Sequence, residues 1–393
     1  MSNFNVEKEN EKTTSKETDL NYLLPPESTL DSEYKVCIKV FGIGGAGGNA
    51  VNNMIKAGLQ GVEFYHINTD FKDLQKSLAP NKIPIGKNLT RGHGTGGDQE
   101  LGEKAALEDS NLIMDAVAGA DIVFIAAGMG GGTGTGGAPI VASIAKSMGA
   151  LVIGIVTKPF TWEGKQRMKN AEEGIKELKQ YVDSLIIVPN SRILSIIDTA
   201  TAAKAAFDKP NEILYEATRG IADIITMKGI INVDFADVRT VMRDSGHALM
   251  GCGIASGENR AVEAAQKAIS SPLLEGVSIK GAKNILLNVS GSINMTMQEI
   301  EAGNNIIFEA AGEEANVIFG VVNKDEMIEY ISYTVIATGF GADAGSNGLG
   351  MIKKEREEKV REKKSVSAVG GFSKTKMTID ENADLSIPTI LRV

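Results

Sequence analysis

Two periods of apolar residues alternate along most of the chain, and the switches between them lay out its elements. Short apolar runs predict buried strands at 36–41, 62–67, 121–127, 150–156 and 184–188. Between them apolar residues recur at helical spacing. This predicts helices at about 49–57, in a segment ending near 117, at 138–148 (Ile140, Ile144, Ala145 and Met148 on one face) and at 164–180. Strands that alternate with helices imply a Rossmann-like parallel sheet covered on both faces, with ligands beyond the carboxyl ends of the strands. A longer stripe of Leu214, Ala217, Ile221, Ile224 and Ile225 predicts a central helix from Asn211 to about Met227. Past it, strands at 247–255, 284–289, 316–322 and 328–338 and an alanine-rich helix at 258–269 predict a second, smaller α/β domain. The central helix is then packed by both domains.

The two ends of the chain break this pattern. Up to Tyr34 the chain carries Pro25, Pro26, eight acids and three lysines without an apolar segment, so 1–33 are expected to be a disordered arm and not a secretory signal. Residues 353–364 hold seven basic and four acidic residues with Val360 as the one apolar member. The stretch 341–383 therefore reads as a flexible linker. Residues 384–393 gather apolar side chains again, which suits a short motif that docks in a partner's groove. The ordered part divides into 34–210, a central helix at 211–230, and 231–340.

Composition narrows the class. Of 393 residues, 42% are hydrophobic and 23% charged, as in a soluble globular protein long enough for two domains. A formal net charge of -9 argues against a nucleic-acid partner. With no apolar run of about 18 residues, no membrane span is expected, and the protein reads as cytoplasmic. Cys37 and Cys252 fit no metal or redox spacing, and His66, His93 and His247 form no ligand pair, so no zinc site is expected.

The candidate chemistry lies where strands hand over to helices. Gly130-Gly-Gly-Thr-Gly-Thr-Gly-Gly137 separates the run at 121–127 from the helical spacing at 138–148. A backbone without side chains can approach a ligand closely, and at a helix N-terminus unpaired N–H groups and the helix dipole both favour an anion. Gly132, Thr133 and Gly134 are the expected phosphate contacts, with threonine hydroxyls as added donors. Gly42-Ile-Gly44-Gly-Ala-Gly47 follows the first strand and fits the dinucleotide fingerprint, and Asp70 stands roughly where a ribose-binding acid would. A nicotinamide or flavin dehydrogenase is therefore a rival reading, but it leaves the second glycine turn unexplained. No G-x-x-x-x-G-K-[ST] occurs, which excludes a P-loop.

Taken together, these segments resemble a known family. Gly130-Gly-Gly-Thr-Gly-Thr-Gly136 resembles the signature of the tubulin superfamily. Gly44-Gly-Ala-Gly-Gly-Asn49, Asn68-Thr69-Asp70, Thr157-Lys-Pro-Phe160 and Asn232-Val-Asp-Phe-Ala-Asp237 are similar to the FtsZ family of bacterial cell-division GTPases. The likeness spans roughly 34–340, and the last ten residues resemble that family's tail. Ala46 stands where the family often has glycine, and Ile390 where its tail often has phenylalanine.

The resemblance implies GTP and GDP as ligands, with Mg²⁺. It implies that Gly45, Ala46, Gly47, Gly48 and Asn49, with Asn68, line the nucleotide and that Gly128, Gly130, Gly131, Gly132, Thr133 and Gly134 hold its phosphates. Thr157 and Pro159 would bind the nucleotide, Glu163 and Arg167 would lie near its sugar and phosphates, and Asn190, Phe207 and Asn211 near the guanine. On their own residues, Glu163 and Arg167 would be a surface i, i+4 ion pair, and Asn211 the cap of the central helix. Asp234 and Asp237 would be an ordinary turn or cap, and they lie about 25 Å from the nucleotide end of a 17-residue helix. The resemblance instead makes Asp234 and Asp237, with Asn232, catalytic on the next subunit's nucleotide. It further implies head-to-tail filaments at the mid-cell division site, tethered to the membrane only indirectly, through division proteins that bind 384–393. A tubulin-like scaffold without hydrolysis is the other alternative, and the two acids argue against it.

Overall fold

A computed structural model of the chain describes residues 35–193, 197, 201–227, 229–274 and 279–340. The expected N-terminal arm, the linker and the terminal motif lie outside the described residues. The ten strands are β1 (Ile38–Ile43), β2 (Glu63–Asn68), β3 (Asn81–Pro84), β4 (Ile122–Gly128), β5 (Leu151–Lys158), β6 (Ser184–Pro189), β7 (Gly246–Ser256), β8 (Asn284–Gly291), β9 (Asn316–Asn323) and β10 (Tyr330–Thr338). They form one sheet in the order β3-β2-β1-β4-β5-β6-β7-β10-β8-β9.

From β3 to β6 all pairings are parallel. Burial on both faces explains why these strands read as continuous apolar runs. In β4, Ile122, Phe124 and Ala126 enter one core while Val123, Ile125 and Ala127 enter the other. The first core also holds Ala50, Val51 and Met54 of the helix Gly44–Lys56 and Ile213, Leu214, Ala217 and Ile221 of the central helix. The order β3-β2-β1-β4-β5-β6 reverses direction between β1 and β4, and ligands of open α/β sheets bind at that reversal. Both glycine turns leave the sheet there.

Strand β7 joins the two halves. Its first residues pair parallel with β6, Ser184–Ile186 against Gly246–Ala248. The rest pairs antiparallel with β10, which pairs antiparallel with β8. The central helix packs on this second half as well. Gly220 lies so close to β10 that a Cβ there would sit 2.6 Å from Thr334 Cγ2, and its carbonyl accepts from Asn288 Nδ2 at 3.1 Å.

Three helix starts differ from the periodicity. The first glycine helix begins at Gly44, not near Asn49, and the second begins at Thr133, not Ala138. The glycines are thus not loops before helices but their opening turns, held helical by packing where propensity alone disfavours them. The central helix runs Ala203–Thr226, beginning eight residues before Asn211. Pro210 lies inside it, and its missing N–H costs one intrahelical bond without ending the helix. Asn211 is therefore not an N-cap. That position belongs to Ala202, which makes no side-chain cap.

Candidate functional site

At the β1/β4 reversal the two glycine helices converge. A Cβ on Gly44, whose φ is +70°, would lie 2.9 Å from the Gly134 amide nitrogen and 3.4 Å from Thr133 Cβ. Neither helix has a side-chain cap or an acid in its first turn. By contrast, Asp70, Asp98 and Thr296 cap the helices that follow them. Two uncapped, uncompensated helix N-termini meeting at one point make a strong local preference for negative charge.

The second turn separates structural donors from open ones. The Met129 N–H donates to the Thr157 carbonyl, and the Gly130 N–H to Thr135 Oγ1, both at 2.9 Å. Those two amides brace the turn. The amides of Gly132, Thr133 and Gly134 sit at the helix start, where no intrahelical acceptor exists. A Cβ on Gly131 would meet nothing within 4 Å, so this stretch of backbone faces open space. The threonine hydroxyls, expected as free donors, are occupied. Thr133 Oγ1 lies 2.6 Å from Thr69 Oγ1, and Thr135 holds the Gly130 amide. Thr133 therefore offers its amide, not a free hydroxyl.

Beside these turns lies a cleft of about 300 Å³. Ala46, Asn49, Gly128, Thr157, Pro159, Glu163, Arg167, Asn190, Phe207 and Asn211 all line it, so ten of the nineteen residues expected at the nucleotide share one cavity. Glu163 and Arg167 form their ion pair at 3.1 Å within it, and the other Glu163 oxygen accepts the Phe160 N–H at 2.7 Å. Asn190 opens a short helix at the end of β6, and its buried Oδ1 has no hydrogen-bond partner among the described residues. A buried carboxamide oxygen without a partner, on a residue that lines a cleft, can accept from a ligand N–H such as that of a purine.

Other expected residues have structural duties. A Cβ on Gly48 would overlap the His66 ring, one on Gly47 the Ala126 carbonyl, and one on Gly132 the Thr95 hydroxyl. At these three positions the small residue permits close packing. Gly45 differs: a Cβ there would meet only the Asp73 carboxylate, at an ordinary 3.5 Å. Asn68 is 3% exposed, and its amide is spent on Asp73 Oδ2 at 2.7 Å and the Asp70 N–H at 3.2 Å, beneath the site and not in the cleft. Asp70, the acid that favoured a dehydrogenase, accepts the N–H groups of Lys72 and Asp73 as a helix cap.

Met129, Phe160, Asp208, Pro210 and Leu214 also line the cleft and were not singled out individually from the sequence. Beside it stands Trp162, 63% exposed. It stacks on Phe160 with centroids 5.2 Å apart and meets Phe207 edge-on at 6.0 Å, while Phe160 meets Phe207 edge-on at 5.8 Å. Aromatic side chains clustered after the Thr157-Lys-Pro segment were the available signal.

Asn232, Asp234 and Asp237 are not in the cleft. They follow the far end of the central helix, and the 15 residue steps from Asn211 to Thr226 alone rise about 22 Å. All three are exposed. Asn232 Oδ1 accepts the Gly229 N–H at 2.8 Å, which leaves its amide nitrogen available. Asp234 precedes the helix Phe235–Met242 without a side-chain cap bond. Neither carboxylate has a hydrogen bond or ion pair among the described residues. The same residues contain no cluster of three or more His, Cys, Asp or Glu arranged to hold a metal ion.

A larger cavity of about 980 Å³ lies between the central helix and the second half of the sheet, lined by Glu216, Arg219, Asp223, Lys324 and Thr334 among others. It contains a buried Asp223–Lys324 ion pair but neither glycine turn, so size does not mark the anion site.

Comparison with known proteins agrees with this geometry. Residues 37–198 match the model of the GTPase domain of the Tubulin/FtsZ family, and residues 246–341 that of the FtsZ family C-terminal domain. A structure of an FtsZ dimer from M. jannaschii is 41% identical, with TM-score 0.76, over 80% of this chain and 93% of that one. CetZ2 from Haloferax volcanii, in a GTPγS-bound protofilament, is 21% identical with TM-score 0.68, over 82% and 99%. CetZ1 from the same organism, a GDP-bound monomer, is 24% identical with TM-score 0.69, over 82% and 100%. The latter two share the fold. With the FtsZ likeness covering nearly all of its relative, the chain belongs to the FtsZ family of tubulin-like GTPases.

Proposed function

We propose that this chain assembles with GTP into head-to-tail filaments of the bacterial division ring and hydrolyses that GTP at a site shared between adjacent subunits. The observation that carries the reading is the separation along the central helix. An anion cradle and a base cleft stand near one end, and two carboxylates without partners among the described residues follow the other. No rotation of side chains within one molecule closes more than 20 Å. A second copy whose Asp237 end meets this cleft would complete the site, and a contact between opposite ends propagates as a filament when it does not close into a ring.

In that arrangement the amides of Gly131 to Gly134 and the first turn at Gly44 and Gly45 hold the phosphates. Thr157, Pro159 and the Glu163–Arg167 pair border the sugar. Asn190, Asn211 and the aromatic wall of Phe207 hold the guanine. Asp234 and Asp237 of the incoming subunit orient and polarise the attacking water, with Asn232 beside them. The new P–O bond forms to that water as the bond from the terminal phosphorus to the bridging oxygen breaks, giving GDP and phosphate. Magnesium supplies countercharge to the phosphates when bound with them, and no residue of the chain is assigned as its ligand. The protein acts in the cytoplasm at mid-cell, and 384–393 dock the division proteins that tether and regulate it.

Phosphate release and light scattering, measured together against protein concentration, test the reading. Specific activity should rise with concentration, and scattering should rise with GTP but not with GDP or without nucleotide. Flat specific activity from dilute to concentrated protein overturns the shared site.

A further inference from the structure

His66 carries chemistry that the cleft itself does not use. It lies in β2, in register with Gly42 of β1 and Lys82 of β3, is 1% exposed, and fills the space that a Cβ on Gly48 would need. Its Nε2 is 3.3 Å from the Gly44 carbonyl oxygen, 3.5 Å from Asn68 Nδ2 and 4.0 Å from the Asp73 carboxylate. Nδ1 is buried with no partner among the described residues.

The two neighbours of Nε2 pull in opposite directions. Asn68, with its oxygen held by the Asp70 N–H, presents its amide nitrogen, a donor, at 3.5 Å, while the nearer Gly44 carbonyl, at 3.3 Å, can only accept. A bare Nε2 would then point its lone pair at the Gly44 carbonyl. A proton on Nε2 instead donates to that carbonyl and leaves Nδ1 bare. Burial holds the ring's pKa below the ordinary histidine value, against the opposing pull of Asp73 and the Gly44 carbonyl. The charged groups around it are Asp73 and Asp70 on the segment after β2, and Lys82 across the strand pair. The helix Gly44–Lys56 has no charged residue before Lys56.

An anion against Gly45 upsets this balance. Gly45 is the residue after the carbonyl that His66 holds, and the Asp73 carboxylate already stands beside it. Phosphates arriving there add negative charge next to an existing carboxylate and above an imidazole with one nitrogen free to take a proton. We propose that His66 is a proton-linked positioning residue of the nucleotide site. Its Nε2–H holds the Gly44 carbonyl throughout, and Nδ1 takes a proton from solvent as the phosphates bind. The inference rests on the nucleotide assignment above. Linkage then fixes the sign: affinity rises as pH falls from 8 toward 6, and levels off once the ring is charged in the free protein as well.

Calorimetric titration of the full chain with GDP, at several pH values and in buffers of differing ionisation enthalpy, counts the protons taken up. The terminal phosphate titrates alike against every variant, so the difference between wild type and His66→Gln isolates the ring. Wild type should take up an additional fraction of a proton near pH 7. It should also tighten by up to about tenfold more than His66→Gln between pH 8 and 6, for each pKa unit by which the phosphates raise the ring. Equal proton counts and equal pH slopes in the two chains overturn the proposal. If His66→Gln does not fold, the imidazole carbon resonances of the wild-type chain give the same answer. A ring that titrates at the same pH with and without GDP refutes the linkage. Absence of GDP binding by the wild type would instead sink the nucleotide assignment itself.

Discussion

The two ends of the central helix are opposites. Near Ala203, the helix borders a cleft where backbone amides and an aromatic wall converge and where Glu163 is spent on Arg167 and the Phe160 N–H. Beyond Thr226, Asp234 and Asp237 stand exposed with nothing to neutralise them among the described residues. The first end offers donors and apolar walls, and the second offers carboxylates. Each lacks what the other has, and that asymmetry supports a site divided between molecules.

The largest expected effect breaks the comparison directly. Asp237→Ala should lower phosphate release by roughly 10²-fold or more, the scale of a lost general-base contribution. GTP affinity, read by equilibrium binding, should stay within about twofold, since the residue follows the far end of a helix that rises about 22 Å from Asn211. Loss of binding with the same substitution would place the acid on its own molecule's nucleotide and dissolve the contrast.

A second test sharpens the cradle end by separating packing glycines from ligand-facing ones. Gly48→Ala forces a methyl into the buried His66 ring and should cost about 1–3 kcal/mol of stability, seen as a lowered melting temperature without nucleotide. Gly131→Ala meets no neighbour and should melt like wild type, while losing part of the thermal stabilisation that GDP confers. Equal melting temperatures for the two variants would show that the turns do not divide this way.

How much of this was legible depended on which force shaped each element. Strands β4 and β5 were readable because burial on both faces leaves an unbroken apolar run, interrupted in β5 only at its last two residues, Thr157 and Lys158. β3, four residues at the sheet edge with Asn81, Lys82 and Pro84, lacks any pattern to read. The glycine helices began earlier than their propensity allows because tertiary packing overrides it, with Gly47 and Gly48 admitted against β4 and β2. Asn211 misled in a similar way, since a residue type that favours caps stands eight residues inside the central helix. At the site, spacing located both glycine turns that meet at the sheet reversal. It could not show that Asp70 is a cap, that Asn68 is internally satisfied, or that the threonine hydroxyls are taken, because those depend on partners at a distance in the chain.

The smallest expected effect concerns Glu163, which pairs with Arg167 and also holds the backbone of the aromatic wall. Glu163→Gln keeps an acceptor for the Phe160 N–H and removes the charge that now holds Arg167. The side chain of Arg167 is 53% exposed, so the pair itself contributes less than about 1 kcal/mol. Its removal should leave the fold unchanged and free the guanidinium for phosphate. GDP binding should then tighten slightly, with a steeper loss on adding salt. Glu163→Ala removes the Phe160 bond as well and should loosen the Phe160–Trp162 stack, weakening GDP binding. Because Trp162 is the single tryptophan of the chain, its fluorescence reads that stack without a label. Glu163→Gln should keep the wild-type emission and Glu163→Ala should shift it. Identical emission and affinity in both variants would mean that the carboxylate shapes neither the wall nor the charge of the cleft.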